Sequence, residues 1–166
     1  MILLIDGFNA IYKFPELEEN MYRGELVEAM RGLLELLFRL RKASRKAPTV
    51  HVFFDGKRKR GDETRRETVS DMHVYYSIDM SADHLIKEFI KKAPSPGEIQ
   101  VVSSDKDVST FARKHRCKTK TSEEFAEYLL EEIKPKTKQK PEKDTNPNLS
   151  AGEVNYWMEM FKKDRD

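Results

Sequence analysis

The chain of 166 residues has a single cysteine, Cys117. One thiol closes no internal disulfide and has no companion for a cysteine metal cluster, so Cys117 reads as a packing residue. No run approaches the ~18 apolar residues of a membrane-spanning helix. The N-terminal MILLI stops at Asp6, with no basic flank and no small-residue cleavage site, and does not read as a signal peptide. A soluble, cytoplasmic protein with no membrane partner is expected. Histidine is scarce: His51 and His73 fall in strand-like runs, His115 in a basic run, and His84 beside Asp83 on a helix, which argues against a nitrogen-ligated metal. There is no nucleophile elbow, phosphate-cradling glycine loop or dinucleotide fingerprint, and Gly7 alone after the first apolar run is too little for a cofactor loop. No internal repeat is present.

What the chain has in abundance is charge. Charged residues make up 36% of it, 31 basic against 29 acidic, and the net charge of +2 by itself names no partner. The distribution says more. KRKRGDETRR (57–66) holds six basic and two acidic residues, RKHRCKTK (113–120) five basic and none acidic, and KPKTKQKPEK (134–143) five basic and one acidic. Like charges gathered in loops attract polyanions by counterion release.

Short runs rich in β-branched residues, at 1–5, 49–54, 73–76 and 99–103, predict strands, with 117–120 a short fifth. Between them lie helical patterns. The clearest spans 25–46, where Leu26, Met30, Leu33, Leu34, Leu37 and Phe38 recur at steps of three and four. Others are expected from Ala82 to Lys92, after Ser104, and from Thr121, which forms a capping box with Glu124. Strands alternating with helices imply a three-layer α/β sandwich with a central, mostly parallel sheet of four to five strands. Residues 134–149, lysine-rich and punctuated by Pro135, Pro141 and Pro147, read as a basic flexible linker between a domain at 1–133 and an amphipathic helix within 150–166. That helix carries Val154, Trp157, Met158 and Phe161 on one stripe.

Each of the four main strands is followed by aspartate: Asp6, Asp55, then Asp79 and Asp83, then Asp105 and Asp107. Ligands bind where parallel strands end at their carboxyl side, and so many carboxylates drawn to one edge repel unless a cation joins them. Oxygen-only ligation suits a hard ion, Mg2+ or Mn2+. Each acid also has a local reading. Ser104 with Asp107 makes a capping box, Asp105 suits a helix N-terminus, Ser81 can cap the helix holding Asp83, and Asp6-Gly7 and Asp55-Gly56 could be turns. Lys57, Arg58, Lys59 and Arg60, directly after the second strand, and Arg65 and Arg66 beyond them, stand where they could hold a polyanion's phosphate backbone. Tyr12, Phe14 and Tyr22, in a loop after Asn9, could stack unpaired bases or pack in the core.

The ordered set LLIDGFNAI, VHVFFDGK, SADHLIKEFI, IQVVSSDKDVSTFARKH and TKTSEEFAEYL resembles the YacP-like branch of the NYN domain family, within the PIN-like nucleases, over about residues 1–133. The resemblance implies a metal-dependent endoribonuclease that cuts single-stranded RNA, with messenger RNA and the ribosome as expected partners and oligomeric state left open. Carried over residue by residue, it makes Asp6, Asp83 and Asp105 the metal ligands and Asp107 a further ligand or an orienter of water. It makes Asn9 a hydrogen-bond partner of Asp6 or substrate, and Ser103 and Ser104 a hydroxyl pair that positions the turn or a phosphate. The chain departs from the family at HRCKTK, where a small Gly-Ala pair is usual. The rival reading is an RNA- or ribosome-binding adaptor without catalysis, in which the acids are caps. A phosphoacceptor receiver would need paired acids after the first strand, where only Asp6 stands.

Overall fold

The computed structural model describes residues 1–56, 64–78 and 80–135. The basic cluster Lys57, Arg58, Lys59 and Arg60, Asp79, the linker from 136 onward and the helix expected within 150–166 lie outside the described residues. In chain order come β1 (Ile2–Asp6), α1 (Gly7–Ile11), α2 (Pro15–Tyr22), α3 (Leu26–Ala43), β2 (Thr49–Asp55), β3 (Arg65–Val69) and β4 (Met72–Ser77). They are followed by α4 (Ala82–Lys92), β5 (Ile99–Val102), α5 (Lys106–Lys114), β6 (Lys118–Lys120) and α6 (Ser122–Ile133).

One six-stranded sheet runs in the order β3-β4-β2-β1-β5-β6. All neighbours are parallel except the β3–β4 hairpin. The expected α/β sandwich is therefore present, with six strands rather than four to five. The additional strand is β3, whose sequence RRETV reads as a basic loop. Its pairing rests on a tight turn at Ser70 and Asp71, both in the left-handed region (φ 46° and 63°), which matches the twist of a two-residue hairpin. As an edge strand it carries charge outward, which discourages pairing with another chain.

Alternation along each strand divides the core. Leu3, Ile5, Val50, Val52, Phe54, Val74, Tyr76 and Val102 face a layer built by α1, α2, α3 and α6. Leu4, Phe53, Ile99 and Val101 face α4 and α5 through Ala82, Ile86, Ile90, Val108 and Ala112. The α3 helix buries Met30, Leu33, Leu34, Leu37 and Leu40. Its Arg41 donates to the carbonyls of Pro48 (3.1 Å) and Ser70 (3.0 Å), tying the helix end to the entry of β2 and to the hairpin turn. Cys117 is buried in the second layer. Among the described residues, no helix is long and apolar enough to cross a membrane.

The connection from β1 goes to β2 on one side, whereas the chain leaving β4 passes through α4 to β5 on the other side of β1. The carboxyl edge at β1 is thus where the sheet order diverges and where a crevice opens.

Candidate active site

Because side chains alternate, Asp6 follows Leu4, Asp55 follows Phe53, Ser77 follows Tyr75 and Ser103 follows Val101 onto the face covered by α4 and α5. Asp83, in the first turn of α4, and Asp105, at the N-cap of α5, are brought to the same edge. Gly7 lets α1 begin at once: a Cβ there would fall 2.5 Å from the Phe54 ring.

The electrostatics record how closely the acids meet. Burial pushes Asp6 up to about 7, the charge of Asp83 adds to the rise and that of Asp105 contributes further; a hydrogen bond from Ser103 and the nearby Asn9 amide oppose it. The Asn9 amide favours the ionised carboxylate without closing a cap hydrogen bond at Asp6. Asp83 is raised by burial first, then by Asp105, with Asp55 and Asp107 adding and Lys87 opposing. Its carboxylate makes no hydrogen bond or ion pair among the described residues. Ser103 is buried, donates to Asp6 Oδ2 (3.2 Å) and accepts from the Asp105 amide (3.1 Å). Its hydroxyl serves the acids and the turn, not a phosphate at the surface.

Several local readings are corrected by the geometry. The N-cap of α5 is Asp105, not Ser104: Asp105 Oδ1 accepts from the amides of Asp107 (2.8 Å) and Val108 (3.4 Å). Capping occupies one carboxylate oxygen and leaves Oδ2, so cap and ligand roles coexist in one side chain. Asp107 is exposed and pairs with Lys87 on α4, which sets it at the outer rim. The Asn9 side chain bonds to other partners than Asp6: its Oδ1 accepts from the Ser104 amide (2.9 Å) and the Ser122 hydroxyl (2.5 Å). Ser104 Oγ accepts from the Ser122 amide (3.0 Å). Asp55 accepts from Ser77 Oγ (3.2 Å) at a turn where a Cβ on Gly56 would lie 2.4 Å from the Ser77 carbonyl.

Arg65 and Arg66 stand on β3 opposite Tyr76 and Tyr75, with β4 and β2 between them and β1. Arg66 donates to His73 Nδ1 (3.2 Å) and lies 5.5 Å from the Tyr75 ring centre, committed to the sheet. The stretch after Asn9 is a loop only in part: Tyr12 and Phe14 lie in the short turn between α1 and α2, and Tyr22 ends α2. Phe14 is buried in the core, and Tyr12 and Tyr22 are exposed. Ser122 and Lys87 are the site neighbours that sequence reasoning passed over; Ser122 follows the Thr121 cap and carries no pattern of its own.

The donors are all oxygens, which fits a hard dication, and the mutual repulsion at Asp6 and Asp83 is what a bound cation relieves. Among the described residues no group of three or more Asp, Glu, His or Cys side chains closes into a metal-binding cluster. The arrangement therefore fits an ion held by one or two carboxylates with water completing its shell, the usual habit of Mg2+.

A mixed, mostly parallel α/β sheet with acids gathered at its carboxyl edge agrees with the nuclease-type fold of the NYN domains. The chain belongs to the YacP-like NYN domain family, whose model matches residues 3–162 and so continues through the segment beyond α6. Its structure is similar to the crystal structure of Rae1 (YacP) from Bacillus subtilis: TM-score 0.60 at 21% identity, covering 99% of this chain and 92% of that one. A tryptophan-to-leucine variant of the same Bacillus protein gives TM-score 0.62 at 21% identity over 80% and 76%. No curated protein matches the chain.

Proposed function

We propose that the protein is a metal-dependent endoribonuclease that cleaves single-stranded RNA by attack of water on a phosphodiester. The observation that carries this reading is the convergence of Asp6, Asp83 and Asp105, from three elements distant in sequence, closely enough that the charges of Asp83 and Asp105 disfavour ionisation of Asp6 and that of Asp105 disfavours ionisation of Asp83. Structural carboxylates gain nothing from such crowding, whereas hydrolytic sites use it to hold positive charge. Of Asp6, Asp83 and Asp105, one or two carboxylates would hold a Mg2+ or Mn2+ ion directly and the remainder would act through its water shell; the ion when bound would supply Lewis acidity toward water and the phosphate. Ser103 fixes Asp6 through Oδ2, and the α5 cap fixes Asp105, so both acids are oriented before substrate arrives. Lys87, paired with Asp107, brings a cation to the outer rim.

The test is cleavage of a labelled single-stranded RNA by protein stripped of metal and then given Mn2+. Wild type is expected to cut only with the ion, and Asp6→Asn and Asp83→Asn to lose on the order of a hundredfold or more in rate. Equal cutting by either variant overturns the assignment. Messenger RNA as target and the ribosome as setting are examined by adding ribosomes to the same assay.

A second reading, a binding adaptor without catalysis, draws on the engagement of Asp105 in the cap and Asp107 with Lys87. RNA binding that survives chelation, with no cleavage at any divalent ion, would establish it instead.

A further inference from the structure

Ser122 opens α6 and is fully buried, yet its hydroxyl is not spent on its own helix. It lies 2.5 Å from Asn9 Oδ1, across 113 residues of sequence. The same oxygen accepts from the Ser104 amide at 2.9 Å, and the Ser122 amide donates to Ser104 Oγ at 3.0 Å, closing a ring of three residues from α1, the β5–α5 turn and α6. The ring fixes which way round the Asn9 amide sits. A backbone N–H can only donate, so the Asn9 atom facing Ser104 must be the carbonyl oxygen, and the amide is locked against flipping. Its NH2 group then points away from both serines. Asn9 is half-exposed beside Asp6, and its NH2 has no partner among the described residues.

We propose that Ser122 is a positioning residue: with the Ser104 amide it locks the Asn9 carboxamide in one orientation, leaving the Asn9 NH2 as a hydrogen-bond donor for an RNA phosphate oxygen. This rests on the nuclease reading above. The same ring braces the turn bearing Asp105 against the helix that follows Asp6, so loosening it disturbs substrate placement rather than the fold as a whole. A buried hydroxyl removed from a satisfied ring leaves Asn9 Oδ1 with one donor instead of two, and the amide gains freedom to rotate.

The experiment pairs two readouts on Ser122→Ala. The first is the 15N–1H signal pair of the Asn9 side chain; the second is single-turnover cleavage of single-stranded RNA at saturating Mn2+. The signal pair is expected to shift or broaden, and the cleavage rate to fall about tenfold, the worth of one buried hydrogen bond. Ser122→Thr, which keeps the hydroxyl, is expected to recover most of that loss. Should Ser122→Ala not fold, Asn9→Asp keeps both acceptor contacts and removes the NH2, and is expected to lose cleavage while remaining folded. Unchanged Asn9 signals in Ser122→Ala, or changed signals with wild-type cleavage by it or by Asn9→Asp, overturn the proposal. An inert wild type would remove the nuclease reading and this role together, whereas an active wild type with an indifferent Ser122→Ala removes this role alone.

Discussion

At Asp6 burial and the charge of Asp83 outweigh the hydrogen bond from Ser103 and the amide of Asn9, and the carboxyl titrates near 7 instead of 3.8. A carboxylic acid whose folded pKa lies above its unfolded value stabilises the fold while it keeps its proton, and that contribution fades as pH rises from about 4 through 7. Replacing Asp6 by the neutral isostere asparagine should therefore leave stability nearly unchanged at pH 5. At pH 8 without metal it should raise stability by up to about 4 kcal/mol, a Tm gain of up to roughly 8–16 °C for a chain of this size. A melt of both proteins at the two pH values checks it; an Asp6→Asn protein less stable than wild type at pH 8 would show that the acids do not crowd. At this scale the sequence announces the acids themselves, because Asp6 and Asp55 stand immediately after apolar runs, Asp83 and Asp105 follow a few residues beyond theirs, and strand parity puts Asp6 and Asp55 on one face. It does not announce which oxygen each acid spends. Asp105 capping α5 through Oδ1, and Asn9 bonding to Ser122 rather than Asp6, depend on rotamers chosen by neighbours as far as 113 residues away.

Among the elements, α5 ends within HRCKTK in a left-handed turn. Past the C-cap His115, Arg116 takes a left-handed conformation (φ 67°), its amide donating to Arg113 and the Cys117 amide to Ala112 at 2.9 Å, while Cys117 tucks into the core. This is the Schellman pattern, in which the left-handed position suits glycine. Arg116→Gly is expected to stabilise the protein by up to about 1 kcal/mol, a Tm rise of roughly 2–4 °C, because the strain relieved exceeds the added freedom of the unfolded chain. A fall in Tm would mean that the Arg116 side chain makes a compensating contact. The pattern also fixes β6, which leaves the turn in register with Gln100 opposite Lys118. The elements that sequence made legible are those with long periodicity, dense apolar runs or a clear cap: α3, α4, β1, β2, β4 and β5, with α5, α6 and the short β6. Those it missed lack all three. The five residues of α1 are too few to show a period, α2 starts at Pro15 amid glutamates, and β3 is an edge strand whose alternation is masked by arginine and glutamate.

For the molecule as a whole, two buried groups at different places in the sheet oppose each other in acid. His51 is buried where β2 meets β4, stacked on His73 at 4.5 Å and close to the Tyr75 hydroxyl at 3.0 Å. Burial first, then the charges of His73 and Arg66, lower it from 6.5 to about 4. Its neutral form belongs to the fold, so between pH 6.5 and 4 the unfolded chain takes up a proton that the folded one refuses, and stability falls as pH falls. Over the same window folded Asp6 keeps a proton that the unfolded chain releases, and stability rises as pH falls. Each linkage is worth at most about 1.4 kcal/mol per pH unit, with opposite sign, so in the metal-free protein they largely cancel between pH 4.5 and 6. The cancellation is testable by removing one partner at a time. Asp6→Asn should lose stability on acidification through that window, and His51→Phe, which preserves the stacked ring but cannot titrate, should gain it. The double variant should be nearly flat again, because neither residue's charge is among those that shift the other and their effects add. Urea unfolding at half-unit steps from pH 4.5 to 6.5 measures all four slopes, and parallel slopes for wild type and His51→Phe would mean that His51 carries its proton in the folded protein after all.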